Sequence, residues 1–470
     1  MLLSAIKVLL LNIILALATL IPQSTISIGM IGQPNSFLPH DAKSDSEKLI
    51  SQLIFRSLFK YEDGELKTDL LSDWSVSDDL TTYKLKIKDD AKWQDGTQIS
   101  SNDIIYTLSL YKKLIGEMEI EKTGEKEVQI KLSTPTSMLP SILTFGIEPA
   151  HLSDQSKIQP TGSTSYRILF IQKERDSIQK VIIQSFSGNK QYNRISVSFY
   201  KNENDQQTAY KLGEINAFLS NSDITLTGAN KIGITYIGRY FVLLFNTEQP
   251  ALSPVENRKT LESALNIESQ LKKHYYENTN IAKGPVSETF ASKGALFKSA
   301  YNPKAKLTTS QVSEITELSI LLPNNNDGRQ IESLLRESWE ETLGMKIQIE
   351  FLNLDEIVQK GKKGEYDVLF IGHETSPDPD RYAFWHSTQT DLLNFAGFSD
   401  LRADKALEEG RKTFDQAERI KHYSILQDVM STKIPAVFLY HPGSYLYISE
   451  KKQINLPKVI YYPSDILKNL

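Results

Sequence analysis

The stretch LLSDWSVSDDLTTYKLKIKDDAKWQDGTQISSNDIIYTL, residues 70–108, carries the clearest structural pattern in this sequence. In its middle, Tyr83, Leu85 and Ile87 alternate with two lysines. A period of two predicts a strand that is buried on one face and solvated on the other. Asp95-Gly96 follows as a turn-forming pair, so we expect a tight turn soon after this strand.

The end of the same stretch has the pattern of a helix start. Ser100 and Asp103 have the spacing of a capping box, although an aspartate stands where Glu or Gln is usual. A carboxylate at this position also suits the positive end of the helix dipole. The sequence therefore predicts a capped helix over Ile104–Leu114.

Further along the chain, strand and helix patterns alternate. Apolar strands are predicted at Leu318–Leu322, Met345–Leu352 and Tyr366–Ile371, with helical segments between them. This alternation implies an α/β layer whose sheet is parallel at least in part. A single core usually serves no more than about 250–300 residues, so a chain of 470 residues is expected to form two or more lobes.

The composition excludes several classes of function. The chain has no cysteine, which removes disulfides, thiolate catalysis, thiolate metal sites and lipid attachment through an N-terminal cysteine. Its net charge of -5 gives no support to a nucleic-acid partner, which needs a concentrated basic surface. The 7 histidines are scattered singly, and the motifs of serine hydrolases and zinc proteases are absent. We therefore expect no catalytic residue, no metal site and no cofactor.

The first residues, Met1–Gln23, have the composition of an export signal. Lys7 precedes the apolar run Val8–Ile21, which is shorter than the ~20 residues that comfortably span a bilayer. Small residues, at which a signal peptidase could cut, follow at Ser24 and Thr25. The segment is either a cleaved signal peptide or a retained N-terminal anchor. Both alternatives place the remaining chain outside the cytoplasm, in the periplasm or on the outer face of the cytoplasmic membrane.

Several blocks of this sequence, in their order along the chain, resemble the oligopeptide- and dipeptide-binding proteins of ABC importers, which form family 5 of the extracellular solute-binding proteins. The first block is the stretch quoted above, with its tryptophan, its "VSDD" and its "KWQDGT" turn. The later blocks are Asn246-Thr247, Val255–Lys259, Ala264–Asn266, Glu365–Val368, Pro377–Asp380, Trp385, Asn394–Gly397, Asp404, Ala417–Arg419 and Ile434–Val437. One such block alone would be weak evidence for the resemblance, whereas the ordered set covers most of the chain.

The resemblance implies an α/β fold of the two-lobed, periplasmic-binding-protein-like type II, cluster C, with an extra subdomain in lobe I. The chain crosses between the lobes near Arg239–Thr247 and Leu439–Ser444, where a hinge would absorb closure. The implied boundaries are 1–23 for the signal or anchor, 24–238 for lobe I with its extra subdomain at about 65–180, 239–441 for lobe II and 442–470 for the return to lobe I.

The resemblance also indicates where a ligand would lie. In the family an extended peptide lies between the lobes and is held by backbone hydrogen bonds, as an added strand would be. The matching wall of lobe II is the strand end around residue 373, and an early loop of lobe I faces it. The candidate ligand-binding residues are Asn35, Ser36, Phe37, Phe370, Gly372, His373, Glu374, Thr375, Ser376 and Trp385.

One position departs from the family pattern. Peptide-binding members have an aspartate just after this strand that pairs with the ligand's amino terminus, and here Thr375 or Ser376 occupies the matching position. A buried ammonium needs a carboxylate partner, because an unpaired buried charge costs several kcal/mol. Either the adjacent Glu374 takes over this role, or the ligand has no free amine at this end.

The resulting hypothesis is an extracytoplasmic solute-binding protein that captures peptides or similar solutes and delivers them to the permease subunits of an ABC transporter. We expect it to act as a monomer. Two alternatives share the fold: a binder of a non-peptide ligand, such as an oligosaccharide or a metal complex, and a sensor or chaperone that acts without a transporter. An enzyme is a third class, which sequence order alone does not exclude.

Overall fold

The structure is a computed structural model that describes residues 24–112, 118–187, 190–274, 280–287, 302, 304–308, 310–311 and 315–469. The signal-like segment 1–23 lies outside the described residues, as do the end of the helix predicted to reach Leu114 and much of the loop at 279–309. Among the described residues, no helix has the length and apolar character needed to cross a membrane.

Strands supply the frame of the molecule. In chain order they are β1 (Thr25–Ile31), β2 (Phe59–Glu62), β3 (Glu65–Thr68), β4 (Leu71–Val76), β5 (Thr82–Ile87), β6 (Met118–Gly124), β7 (Glu127–Leu132), β8 (Tyr166–Glu174), β9 (Ser177–Ser185), β10 (Arg194–Tyr200), β11 (Ala217–Ser220), β12 (Ala229–Thr235), β13 (Arg239–Phe245), β14 (Asn280–Ile281), β15 (Glu317–Pro323), β16 (Lys346–Leu352), β17 (Val368–Glu374), β18 (Ala436–His441) and β19 (Gly443–Ser449).

Helices cover the sheets and connect the strands. They are α1 (Asp45–Ile54), α2 (Ser101–Leu110), α3 (Leu139–Ile142), α4 (Glu203–Lys211), α5 (Val255–Ala264), α6 (Ile267–His274), α7 (Asn326–Leu335), α8 (Leu354–Lys363), α9 (Tyr382–Trp385), α10 (Leu401–Arg411) and α11 (Gln416–Lys433). The last turns of α7 continue as a π-helix over Arg336–Thr342. Short 3-10 helices lie at Ala150–Leu152, Ser387–Gln389 and Pro463–Leu467.

Lobe I is built on a seven-stranded sheet in the order β12-β19-β11-β1-β10-β9-β8. β1 runs parallel to β10 and β11, whereas β19 pairs antiparallel with β11 on one side and β12 on the other. A strand from the C-terminal part of the chain therefore lies between strands formed some two hundred residues earlier. Hydrophobic clusters pack against this sheet, and one of them continues into the elements that follow α1.

The extra subdomain of lobe I contains the four-stranded sheet β4-β5-β7-β6, the hairpin β2-β3 and the helix α2. The predicted alternation is confirmed, since Tyr83, Leu85 and Ile87 are buried and the intervening lysines are exposed. The start of α2 is also as predicted, because Ser100 donates its backbone N–H to Asp103 Oδ2 at 2.7 Å. The helix begins three residues earlier than expected, at Ser101.

Lobe II is built on a six-stranded sheet in the order β14-β18-β13-β17-β15-β16. β15 pairs in parallel with both β16 and β17, which confirms the predicted parallel layer. β13 and β17 are antiparallel along their whole length. Two further hydrophobic clusters form around this sheet, one around Trp385 and one around Trp339, so lobe II has a core separate from that of lobe I.

Two local expectations for lobe II differ from the structure. The sequence favours one helix over Asn257–Lys273, but Leu265 leaves the helical conformation and buries its side chain, which divides the segment into α5 and α6. The basic segment Lys360–Gly364 has the composition of a solvated turn, but it forms the end of α8. Gly364 ends that helix with a φ of 66°, a left-handed conformation that glycine adopts without strain.

The chain passes between the two large sheets at two adjacent places. One crossing joins β12 to β13 and the other joins β18 to β19 through Pro442. The two crossings contact each other, because Tyr236 donates its N–H to the Pro442 carbonyl at 2.8 Å. Two short, neighbouring connections of this kind leave the lobes able to rotate about a common line.

Candidate functional site

In the part of the chain that the structure describes, the C-terminal half of β17 has an open edge. The strand pairs with β13 from Val368 to Glu374, but with β15 only at Val368 and Leu369. β17 therefore extends beyond its pairing with β15. After Leu369, its edge on the side away from β13 is not paired with β15. An open strand edge presents N–H and C=O groups that an extended chain can join.

The direction of these backbone groups follows from the pairing with β13. Thr375 donates its N–H to the Gly238 carbonyl at 2.8 Å, so the odd-numbered residues of this strand turn their backbone toward β13. Gly372 and Glu374 then direct their N–H and C=O groups to the open edge. Gly372 and Glu374 are two positions apart, which is the spacing at which the backbone groups of a neighbouring strand would pair with this edge.

Four charged side chains connect the lobes at the end of this strand. Arg239 at the start of β13 donates to both oxygens of Asp45 on α1, at 3.1 and 2.8 Å, and donates Nε to Glu374 at 2.9 Å. Lys48, also on α1, donates to the other Glu374 oxygen at 3.1 Å. We call Asp45, Lys48, Arg239 and Glu374 the cleft charge network.

The electrostatics of this network fix the charge of Glu374. Burial acts to raise the pKa of Glu374, but the positive charges of Lys48 and Arg239 outweigh it and hold that pKa below its usual range. The side chain is 46% exposed, so water reaches it as well. Glu374 is therefore an ionised carboxylate whose two oxygens already accept hydrogen bonds from protein cations.

His373 lies on the opposite face of β17 from Glu374 and is buried. Its Nδ1 is 3.0 Å from the Tyr240 hydroxyl, and its ring stacks on Phe384 at a centroid distance of 4.3 Å. Burial, with a smaller contribution from Arg381, lowers the pKa of His373 to about 3. The imidazole is therefore neutral at physiological pH and packs among the aromatic side chains of lobe II.

Thr375 and Ser376 continue the chain beyond the strand. Thr375 is buried, and its carbonyl accepts a hydrogen bond from the Tyr462 hydroxyl at 2.5 Å. Ser376 is exposed, and its hydroxyl accepts the backbone N–H of Asp378 at 3.2 Å. Neither side chain carries charge, so the position of the expected aspartate is neutral in this protein.

The early loop of lobe I is anchored to its own lobe. Asn35 and Ser36 both donate their backbone N–H to Glu47 Oε1, at 2.6 and 3.3 Å, and Asn35 is exposed whereas Ser36 is buried. Phe37 is fully buried in the lobe I core. Of the three predicted contacts in this loop, Asn35 alone has an exposed side chain.

Two of the aromatic candidates belong to cores. Phe370 is fully buried against Phe241, with ring centroids 5.4 Å apart, and Trp385 is 1% exposed in the cluster on the other face of the sheet. Their side chains do not reach the open edge that Gly372 and Glu374 present. The open edge therefore presents the backbone of the predicted strand end and the side chain of Glu374. The side chains of Phe37, Phe370 and Trp385 lie in the hydrophobic cores instead.

The carboxylates of Asp378 and Asp380, on either side of Pro379, are engaged within the protein. Asp378 is ion-paired with Arg419 and Asp380 with Arg411, each through two hydrogen bonds of 2.8–3.1 Å. Among the described residues, no group of three or more His, Asp or Glu side chains is placed to hold a metal ion.

Sequence patterns did not indicate the three partners of Glu374. Asp45 and Lys48 lie on the amphipathic helix α1, whose polar residues have the pattern of an ordinary solvated face. Arg239 is the first residue of the apolar strand β13. The signal that could have indicated these partners is Glu374, the glutamate beside the missing aspartate, because an ionised carboxylate near a crossing between the lobes needs cations close by.

A family comparison decides the class of this protein. The family model for bacterial extracellular solute-binding proteins, family 5 Middle, matches residues 65–392. The chain belongs to this family. Family 5 solute-binding proteins are extracellular, so the open strand edge and the cleft charge network lie in a protein that binds solutes outside the cytoplasm.

Individual relatives are distant and cover nearly the whole chain. The oligopeptide-binding protein AppA of Bacillus subtilis is 22% identical over 94% of this chain and 90% of its own length. The solved structure of the substrate-binding protein CtaP of Listeria monocytogenes has a TM-score of 0.78 at 20% identity and covers 95% of this chain and 99% of its own. The structure of Bacillus subtilis AppA with a nonapeptide has a TM-score of 0.70 at 19% identity, with coverage of 95% and 98%. These structures share the two-lobed family 5 fold with this chain.

Proposed function

We propose that this family 5 solute-binding protein captures an extended peptide, or a solute of similar size, between its two lobes and delivers it to the permease of an ABC transporter. The observation that carries the proposal is the open edge of β17, where Gly372 and Glu374 direct their backbone groups away from β13. An extended peptide is the ligand whose own N–H and C=O groups match such an edge.

Backbone pairing suits a transporter that takes many peptides. It supplies affinity without depending on the ligand's side chains. The relative AppA, an oligopeptide-binding protein whose structure contains a nonapeptide, supports a peptide as the ligand class. A non-peptide solute is the alternative, because the fold alone does not fix the ligand.

Capture is proposed to proceed by rotation about the two crossings. The lobes would then comprise residues 24–238 with 442–470, and residues 239–441. The extra subdomain, expected at about 65–180, ends before β8, because β8 and β9 belong to the seven-stranded sheet. A ligand that contacts both lobes stabilises the closed form over the open form, and the closed form docks on the permease. The adjacent crossings at Tyr236 and Pro442 support this motion.

The proposed capture needs neither catalysis nor a cofactor. Reversible capture involves no covalent step, so we propose no catalytic residue and no cofactor, and the protein acts as a monomer without a nucleic-acid partner. The export segment 1–23 serves either as a cleaved signal or as an anchor. Recovery of a bound peptide chemically unchanged after long incubation would support the absence of catalysis.

The decisive experiment identifies the ligand and locates it. The chain from Ser24 is purified, native mass spectrometry detects bound molecules, and denaturation releases them for identification. Amide hydrogen exchange is then compared with and without a pool of short synthetic peptides. We expect the pool to slow exchange at Gly372 and Glu374, while Ile371 and His373, already paired with β13, serve as internal controls. A single non-peptide species, or no added protection at the open edge, would contradict the peptide proposal.

A further inference from the structure

The cleft charge network bears on which peptides this site accepts, and the inference drawn from it rests on the proposed peptide-binding function. Both oxygens of Glu374 are engaged: Oε1 by Lys48 at 3.1 Å and Oε2 by Arg239 at 2.9 Å. Both oxygens of Asp45 are engaged by Arg239, at 2.8 and 3.1 Å. Neither carboxylate has an oxygen left without a protein cation.

The carboxylates that follow the strand are engaged in the same way. Arg419 bonds both oxygens of Asp378, and Arg411 bonds both oxygens of Asp380. Asp378 is also 2% exposed, so no ligand group reaches it without breaking the fold. All four carboxylates around the strand end are therefore paired within the protein.

The charges named above leave no negative excess at this end of the site, and the nearby buried Asp465 is itself paired with Lys468 at 2.7 Å. Four cations, Lys48, Arg239, Arg411 and Arg419, balance the four carboxylates described above. Arg381 is buried nearby and donates to the carbonyls of Asp378 and Asp380, which brings the sum to five cations less four carboxylates, or +1. A further cation entering here would be desolvated without a free counter-charge.

Lys48 has the chemistry that a peptide's amino terminus would bring. Its side chain ends in an ammonium group that donates to Glu374, and it reaches across from lobe I to the strand end of lobe II. A free α-ammonium would have to displace an identical group that is already tethered beside the carboxylate. A tethered group has the advantage of a high effective concentration over a free one.

We propose that Lys48 acts as a built-in ammonium at Glu374, and that this site selects peptides whose amino end is uncharged, such as acylated peptides. Thr375 and Ser376, either of which stands at the position of the expected aspartate, are both neutral and fit the same conclusion, since no charge is offered there to an incoming amine. Lys48 and Glu374 are thus specificity-determining residues for the ligand's amino end.

The test compares matched ligands on the whole chain from Ser24. A pool of five-residue peptides is prepared with free amino termini and, separately, with acetylated ones, and the two pools compete in equal amounts for the protein. Retained peptides are quantified by mass spectrometry. Lys48→Met removes the ammonium, and Lys43→Met, at an exposed lysine just before α1, is the matched control.

We expect the wild type and Lys43→Met to retain the acetylated pool in excess. Lys48→Met should shift the ratio toward free amines by about tenfold, because Glu374 Oε1 then lacks its cation and Arg239 alone serves both Glu374 and Asp45. A wild type that retains the free-amine pool about tenfold in excess, or a ratio unchanged in a Lys48→Met protein with wild-type thermal unfolding, would overturn the inference. Retention of neither pool would instead overturn the peptide proposal, and this inference with it.

Discussion

Arg419 on α11 holds Asp378 through two parallel hydrogen bonds of 3.0 and 2.9 Å, and the carboxylate is 1% exposed. Asp378 also accepts a hydrogen bond from Ser141 on α3 at 2.9 Å. The pair thus belongs to lobe II but contacts the extra subdomain of lobe I. Burial acts to raise the pKa of Asp378, and the charge of Arg419 outweighs it and keeps that pKa below its usual range.

Removing one partner of this pair should be costly. Arg419→Met leaves an ionised carboxylate buried without a cation, so we expect the free energy of unfolding to fall by about 3–5 kcal/mol. Denaturant unfolding followed by tryptophan fluorescence measures this change. Arg402→Met is the control, because Arg402 pairs with Asp428 at an exposed position, and its loss should cost about 0.5 kcal/mol or less. Equal stability of the two variants would contradict the role assigned to Arg419.

Glu262 on α5 should make stability depend on pH. Burial raises the pKa of Glu262 to about 7, although Lys259 acts to lower it. An acid whose pKa is raised on folding prefers to be protonated in the folded state. Its ionisation therefore destabilises the protein as the pH rises from the unfolded value near 4.5 through 7.

The variant Glu262→Gln should remove this penalty. We expect it to raise the melting temperature at pH 8, and the gain should shrink to almost nothing at about pH 3.5, one unit below the unfolded pKa, where the wild-type carboxyl is mostly protonated in both states. Thermal unfolding at both pH values provides the measurement. Glu268→Gln, at an exposed glutamate on α6, is the matched control and should show no such trend. A gain of equal size at both pH values would indicate a cause other than ionisation.

Gly238 lies in the first crossing between the lobes, under the ring of Tyr462. A Cβ at this position would stand 2.6 Å from Tyr462 Cε1 and 2.8 Å from the Tyr461 carbonyl oxygen. Gly238→Ala should therefore lower the free energy of unfolding by about 1–3 kcal/mol through overpacking. Gly124→Ala is the control, since its nearest neighbour would be 3.6 Å away. Denaturant unfolding of both variants tests the prediction, which fails if Gly238→Ala is as stable as the control.

The sequence predicted the fold through residues that turn out to be structural. Trp93 is buried in the subdomain core, and Arg258 is buried and donates to the carbonyls of Lys433 and Ile434 at the end of α11. Asn246 donates its side-chain amide to the carbonyls of Gly364 and Tyr366. Arg258 and Asn246 thus satisfy backbone groups at fixed places, and Trp93 fills the subdomain core, which explains why the order of these residues along the chain indicates this architecture.

The candidate site was harder to predict, for a geometric reason. Alternation along β17 indicates that neighbouring side chains face opposite ways, but it does not say which way leads to the cleft. His373 and Glu374 are adjacent in sequence, yet one is buried beside Tyr240 and the other pairs with Lys48. Contacts between residues 326 positions apart, such as Lys48 and Glu374, are set by lobe packing and leave no local pattern.

The place of β19 in the lobe I sheet has a consequence for biosynthesis. This strand joins β11 to β12 but is made more than two hundred residues after them, so lobe I cannot complete its sheet until nearly the whole chain has been synthesised. Lobe II is encoded by a continuous segment and has no such delay. Lobe I therefore completes its sheet last, after all the strands of lobe II have been made.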